Sequence, residues 1–325
     1  MNLPVEWRNL TVPLIAAPMF LISGPKMVIE CCRNGVVGSF PTPNARTPEI
    51  LEEWLEEITS SLTEHDAPWA VNLVVHQTNN RLPIDLELVK KYKPPIVITA
   101  LGSPKAVIEA VHEYGGRVLA DVNSLAYARK AVDAGVDGLV LVGAGAGGHT
   151  GYMTGFALVP AIREFFDGIV VLGGGLMTGA SIRSAELLGA DMALMGTRFI
   201  PCHESLANDD YRKMLLEVSF EDLILTNKIT GVPAYWIKQS LALAGVSLEE
   251  ITSEVSINFT DPKGDARRWT KVWSAGHGVG AIRKIEPVGS LIESLVDNYW
   301  DAVNAPPFRG PPLSFRVAEE CKHEG

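Results

Sequence analysis

Eight short runs rich in Val, Ile and Leu, spaced 21 to 33 residues apart, constrain the fold of this chain more than any other feature. They fall at residues 14–19, 36–40, 69–74, 96–101, 117–122, 138–143, 169–174 and 192–197. Such spacing is what a strand, a loop, a helix and a return loop require. Helical patterns lie between the runs. Residues 48–62 open with Pro48 and early glutamates, and residues 124–135 start at Ser124, a natural cap, and stop at Gly135. Runs that are apolar on both faces belong to a parallel sheet covered by helices. No dinucleotide fingerprint follows the first run, which favours a closed barrel over an open sheet. The expected fold is therefore α/β, a TIM (β/α)8 barrel, over residues 1–200 and 281–304. Beyond Thr197 the alternation lapses. Residues 201–280, with helical stretches at 207–219 and 233–245, read as a helical insertion after the eighth strand, a lid over the carboxyl face. A last outer helix is expected at 289–303, and residues 305–325 read as an extended tail.

Composition narrows the class of partner. The chain has 325 residues, with 28 Lys and Arg against 38 Asp and Glu, for a net charge of −10. That sign argues against nucleic acid and against anionic membrane surfaces. The four cysteines, Cys31, Cys32, Cys202 and Cys321, form no C-x-x-C pair and fit a reducing cytoplasm. The first residues lack the basic-then-apolar layout of a signal peptide. The long uncharged stretch from Gly138 to Ile162 is too rich in glycine for a spanning helix.

The chemistry is expected at the carboxyl ends of the last three runs, where barrel enzymes gather catalytic and phosphate-binding groups. Gly173, Gly174 and Gly175 follow the seventh run, and Met195, Gly196 and Thr197 close the eighth. Free backbone N–H groups there can cradle a phosphate, with the Thr197 hydroxyl beside them; the plainer alternative is two tight strand-to-helix turns that need glycine. After the sixth run, 143-GAGAGGHTG-151 holds His149 where no side chain crowds its imidazole, the setting of an exposed acid–base group. His277, in 273-WSAGHGVGAI-282, and His76, past the third run, are its rivals for the substrate pocket. Met19 with Ala17 and Pro18 at the first strand, and Asn72 in the third, can touch a cofactor ring, although packing explains each as well. Tyr235 and Trp236 in the insertion are candidates to shape the substrate space. No metal is expected, because the chain has no H-E-x-x-H motif or cysteine cluster and Asp121 stands without an obvious partner. No G-x-S-x-G elbow supports a serine nucleophile, and Cys31 and Cys32 fit the buried face of the first helix.

Taken together, Ala17-Pro18-Met19, Asn72, the glycine loop with His149, the triplet Gly173 to Gly175, 195-MGTRF-199 and 273-WSAGHGVGAI-282 resemble the nitronate monooxygenases, formerly called 2-nitropropane dioxygenases. The resemblance runs over residues 12–300. FMN-dependent enoyl-ACP reductases and NAD(P)H:quinone reductases share the same superfamily. The resemblance implies FMN with its phosphate on Gly174, Gly175, Gly196 and Thr197, and its ring near Ala17, Pro18, Met19 and Asn72 and lined by Gly148. It also implies that His149 is the catalytic histidine. Departures stand out as well. Many relatives carry Gln at the position of His277 and an acidic residue at Ala144 or Ala146. Some carry Lys at Asp121 and Asp at Val142. An aspartate near the flavin would disfavour negative charge on the ring. The activity so implied is oxidation of alkyl nitronates with O2 to carbonyl compounds and nitrite. An NAD(P)H-dependent reductase acting on quinones or enoyl thioesters is the alternative. A flavin-free phosphosugar lyase or isomerase would use the same cup.

Overall fold

The computed structural model describes residues 3–7, 9–247 and 272–307. Eight parallel strands form the barrel: β1 (Leu14–Ala16), β2 (Gly38–Pro41), β3 (Trp69–Val74), β4 (Ile96–Ala100), β5 (Arg117–Val122), β6 (Gly138–Val142), β8 (Ile169–Gly173) and β9 (Met192–Met195). A two-residue strand, β7 (Gly148–His149), lies between β6 and β8 outside the barrel. Neighbours run in sequence order around the ring, and β9 returns to pair with β1. The ring closes where Ile15 bridges Val37: the Ala16 N–H donates to the Val37 carbonyl at 2.8 Å and the Val37 N–H to that of Leu14 at 3.0 Å.

Helices cover the outside of the barrel: α1 (Pro25–Arg33), α2 (Pro48–Ser61), α3 (Leu82–Tyr92), α4 (Lys105–His112), α5 (Leu125–Ala134), α6 (Gly155–Arg163) and α7 (Gly179–Leu188). Their ends follow local chemistry. The Thr47 and Ser124 side chains accept the Ile50 and Tyr127 N–H groups at the starts of α2 and α5, and Gly135 ends α5 in the left-handed region. Alternation along each strand sorts the residues into two shells. Ile96 and Ile98, Leu119, Val140 and Met192 meet inside the ring, with Trp7 packed among them. Val97, Val118, Leu139 and Leu141 face outward onto the helices.

The insertion differs from the helical expectation. It does contain α8 (Asp209–Glu217), capped by Asn208. It also contains two strands, β10 (Leu223–Thr226) and β11 (Ala234–Ile237), paired antiparallel with Leu223 opposite Ile237. Residues 233–245 therefore do not form one helix, and α9 (Lys238–Leu243) begins only after the strand. The physical reason is burial: Trp236 and Ala234 alternate with Tyr235 and pack on Ile229, Leu241 and Val272, a period of two that a helix cannot present. Part of the insertion, residues 248–271, lies outside the described residues, as does the expected tail from residue 308 onward. The last outer helix, α10, spans Val288–Asn304 and packs against α7 and α1. Among the described residues no helix is long and apolar enough to cross a membrane.

Candidate active site

A cavity of about 700 Å³ opens at the carboxyl ends of the barrel strands. Its depth is set by the same alternation that builds the core. On β5 Leu119 points inward, so Asp121, two residues on, does too, and on β3 Ala70 is followed by Asn72. Asn72 donates to the Ile98 carbonyl at 3.1 Å, which settles it in the wall. From the end of β1, Ala17, Pro18 and Met19 form a further part of the lining.

The cup lies at the ends of β8 and β9, beside β1. Gly173, Gly174, Gly175, Gly196 and Thr197 all line the cavity. Gly174 and Gly175 take φ values of 123° and 71°, which turn the chain back over the strand end. A side chain at 174 would also press its Cβ to 2.9 Å from the Gly143 carbonyl. Among the described residues, the N–H groups of Gly174, Gly175, Gly196 and Thr197 donate to no protein acceptor. Four residues with free N–H groups lining one cavity wall suit an anion, and the residues present thus fit the phosphate of a mononucleotide.

Gly148 and His149 reach the cavity from the loop after β6, and backbone bonds from several neighbours hold that loop. The Gly143 N–H donates to the Gly173 carbonyl at 2.9 Å and the Ala144 N–H to that of Met153 at 2.7 Å. Residues 148–149 form β7, which pairs antiparallel with β11, His149 opposite Ala234. The segment past residue 272 completes the grip: the Gly276 N–H donates to Thr197 Oγ1 at 2.9 Å and the His277 N–H to the Gly145 carbonyl at 3.0 Å. The insertion is thus stitched to the histidine loop by a strand pairing that no local pattern announces.

Three expected site residues stand elsewhere. Met195 lies in the outer shell with Leu14, Phe199 and Leu291, because inward positions on β9 are Met192 and Leu194, and 195 has the opposite parity. His76 is exposed, its Nδ1 2.8 Å from Thr78 Oγ1, and does not line the cavity. His277 packs behind the wall rather than in it. Its ring meets Phe220 and Tyr235 edge-on, at 4.7 and 4.5 Å between centroids, with Gly145 against its face. Burial holds its imidazole below the usual range. Nor do Tyr235 and Trp236 line the cavity; Tyr211 and Trp273, stacked at 5.0 Å with their planes 8° apart, do, with Ser274, whose carbonyl accepts the Tyr211 hydroxyl. Asn44 was also not foreseen. It is buried and clamps the loop after β1, and its partners lie more than twenty residues away.

Asp121 has no hydrogen-bond or ion-pair partner among the described residues. Its carboxylate lines the cavity deep in the barrel, and desolvation by the surrounding protein raises its pKa from 3.8 to about 7. The native state of the protein without a bound ligand therefore keeps a proton that the unfolded chain releases near pH 4. Its stability falls as pH rises from about 4 to 7 and levels off above. Asp121→Asn is expected to erase that slope. Thermal midpoints of both proteins across this range test it, and parallel curves would remove Asp121 as the source.

The nitronate monooxygenase family model matches residues 5–298. The chain is 26% identical over 221 residues to an octahydro-1H-indene-4-carboxyl-CoA dehydrogenase of Rhodococcus jostii, a match covering 68% of this chain and 61% of that protein. The match thus takes in less than two thirds of that relative's length. The chain is 27% identical over 275 residues to a nitronate monooxygenase of Paraburkholderia phytofirmans, covering 72% and 75% of the two chains. Among solved structures, it superposes on nitroalkane oxidase from Streptomyces ansochromogenes with a TM-score of 0.75 over 91% of this chain and 98% of that one, at 23% identity. That likeness speaks for the fold.

Proposed function

Because the chain belongs to the nitronate monooxygenase family, whose members are flavin-dependent oxidoreductases, we propose that it oxidises alkyl nitronates with O2 to carbonyl compounds and nitrite, with FMN as its flavin. One observation carries this reading: the free N–H groups of Gly174, Gly175, Gly196 and Thr197 and the His149 loop face a single cavity. Bound FMN supplies the electron transfer that the protein's own side chains cannot. The chain's part is to bind and orient. The cup would hold the phosphate, and Ala17, Pro18, Met19, Asn72 and Gly148 would border the ring. The imidazole of His149 would hydrogen-bond the nitro oxygens of a nitronate, or take the α-proton when the substrate is a neutral nitroalkane. Tyr211, Trp273 and the barrel mouth limit water around that contact. A cytoplasmic location belongs to the same proposal.

The test is anaerobic absorbance of the purified, FMN-loaded protein after adding propyl nitronate, NADH or NADPH in separate cuvettes. Reduction of the flavin by the nitronate alone is the expected result. Fast bleaching by a pyridine nucleotide would move the assignment to a reductase that uses NAD(P)H. A preparation that is colourless and takes up no FMN on reconstitution would overturn the cofactor assignment.

A further inference from the structure

Three described residues other than glycine adopt positive φ: Leu21 at 63°, Lys93 at 51° and Leu101 at 61°. Lys93 ends α3, where a left-handed residue is commonplace. The other two are leucines, and both line the cavity, Leu21 from the loop after β1 and Leu101 from the loop after β4. Left-handed backbone is unfavourable for a branched aliphatic residue and free for glycine. It persists only where the surroundings enforce it.

Around Leu21 that enforcement is visible. The Leu21 N–H donates to Asn44 Oδ1 at 2.7 Å, and Asn44 Nδ2 donates to the Met19 and Ser23 carbonyls at 2.9 and 2.7 Å. Ser23 Oγ donates to the Ala17 carbonyl and accepts the Met19 N–H, both at 3.0 Å. Two buried polar side chains thus spend their hydrogen bonds on one turn. Leu101 precedes Gly102, which passes so near the Val75 carbonyl that a Cβ there would fall 2.6 Å from its oxygen. Leu101 is 52% exposed, so core packing does not explain a leucine at that position.

A second, independent observation comes from the charge of the cavity. Among its described lining residues there is no Lys or Arg. Leu206, whose N–H donates to the Ile22 carbonyl at 2.8 Å, adds another apolar side chain to the lining. An anionic far end of a substrate would find no Lys or Arg among those described residues, whereas an alkyl chain would find aliphatic walls.

Resting on the nitronate reading, we propose that Leu21 and Leu101 are specificity-determining residues, an apolar collar at the barrel mouth that selects substrates with an uncharged alkyl chain. At Leu101, half exposed, core packing does not require leucine, and at Leu21 the polar clamp holds the backbone without using the side chain. Glycine would meet the backbone need without strain, so the side chains are what both positions supply.

The test uses the FMN-loaded enzyme with nitronates of straight-chain 1-nitroalkanes from two to six carbons, and one six-carbon nitronate ending in a carboxylate. In the unmodified protein, kcat/KM is expected to rise by up to about fourfold per methylene, carried in KM, and to fall for the carboxylated substrate. Leu21→Gly and Leu101→Gly should cut the ratio of six-carbon to two-carbon kcat/KM at least tenfold when combined. The thermal midpoint of Leu101→Gly should hold or rise, the reverse of what loss of a structural leucine would do. An undiminished gradient in the double variant, or equal use of the carboxylated substrate, would overturn the collar. Calorimetric binding of primary alcohols from three to eight carbons needs no turnover. If no nitronate is oxidised, the functional reading fails, and the alcohol series still decides the collar: a gradient lost in the glycine variants supports it, and a flat or unaltered series sinks it.

Discussion

His149→Asn is expected to keep FMN and to lose between about 10² and 10⁴ of kcat/KM, the range that a positioned acid–base group supplies. The two halves of this expectation have separate causes. Flavin retention follows because the loop is held by backbone: β7 pairs with β11, the Gly143 N–H reaches the Gly173 carbonyl, and the His277 N–H reaches that of Gly145. None of these bonds uses the imidazole. Loss of turnover follows because His149 is the imidazole that faces the cavity among the described residues, His76 being exposed and His277 packed behind Gly145. Asn keeps a polar side chain of similar reach but cannot exchange a proton near neutral pH. Oxygen uptake with propyl nitronate, together with the flavin spectrum, measures both. Kinetics equal to the unmodified enzyme would take His149 out of the mechanism.

Gly196→Val is expected to yield a folded, colourless protein. At this position φ is −105°, an ordinary value for any residue. A Cβ would sit 3.4 Å from the Met19 sulfur and 3.5 Å from the Ala17 Cβ, normal packing distances. The backbone therefore accepts a Cβ here, and the valine methyls beyond it would project where the cup meets the Ala17–Met19 wall. FMN affinity should drop by at least about a hundredfold, since a phosphate contact and ring space are lost together. Titration of the flavin-free variant with FMN, followed by fluorescence quenching, measures the loss. Tight binding by a stable variant would place the phosphate elsewhere. Substitution at Gly174 is a poorer probe, because strain at φ 123° and the 2.9 Å approach to the Gly143 carbonyl would unsettle the loop whatever binds.

The eight-strand barrel was legible because its signal is repetitive and local. Each apolar run overlaps one barrel strand, seven starting with it and the second two residues ahead of β2, and Ser124 and Gly135 bound α5 as their chemistry dictates. The glycine clusters at 143–148 and 173–175 were legible too, since glycine marks backbone that must turn or be approached closely. Met195 was misplaced for a definite reason. Both faces of a barrel strand are apolar, one toward the ring and one toward the helices, so hydrophobicity carries no parity. Which residues face inward is decided only when the ring closes, and closure put Leu194 inside and Met195 outside.

The repeat, its eightfold count, the glycine-lined strand ends and the histidine loop are all written within a few residues of one another and are legible before folding. Tertiary structure alone decided how that loop is held and what surrounds it. The β7–β11 pairing joins positions 149 and 234, Asn44 reaches back to Leu21, and Tyr211 stacks on Trp273. Each of these joins residues from 23 to 85 positions apart. Such contacts exist only after the chain has closed its barrel, because hydrogen bonding and packing depend on proximity in space, and local propensity carries no record of a partner that distant.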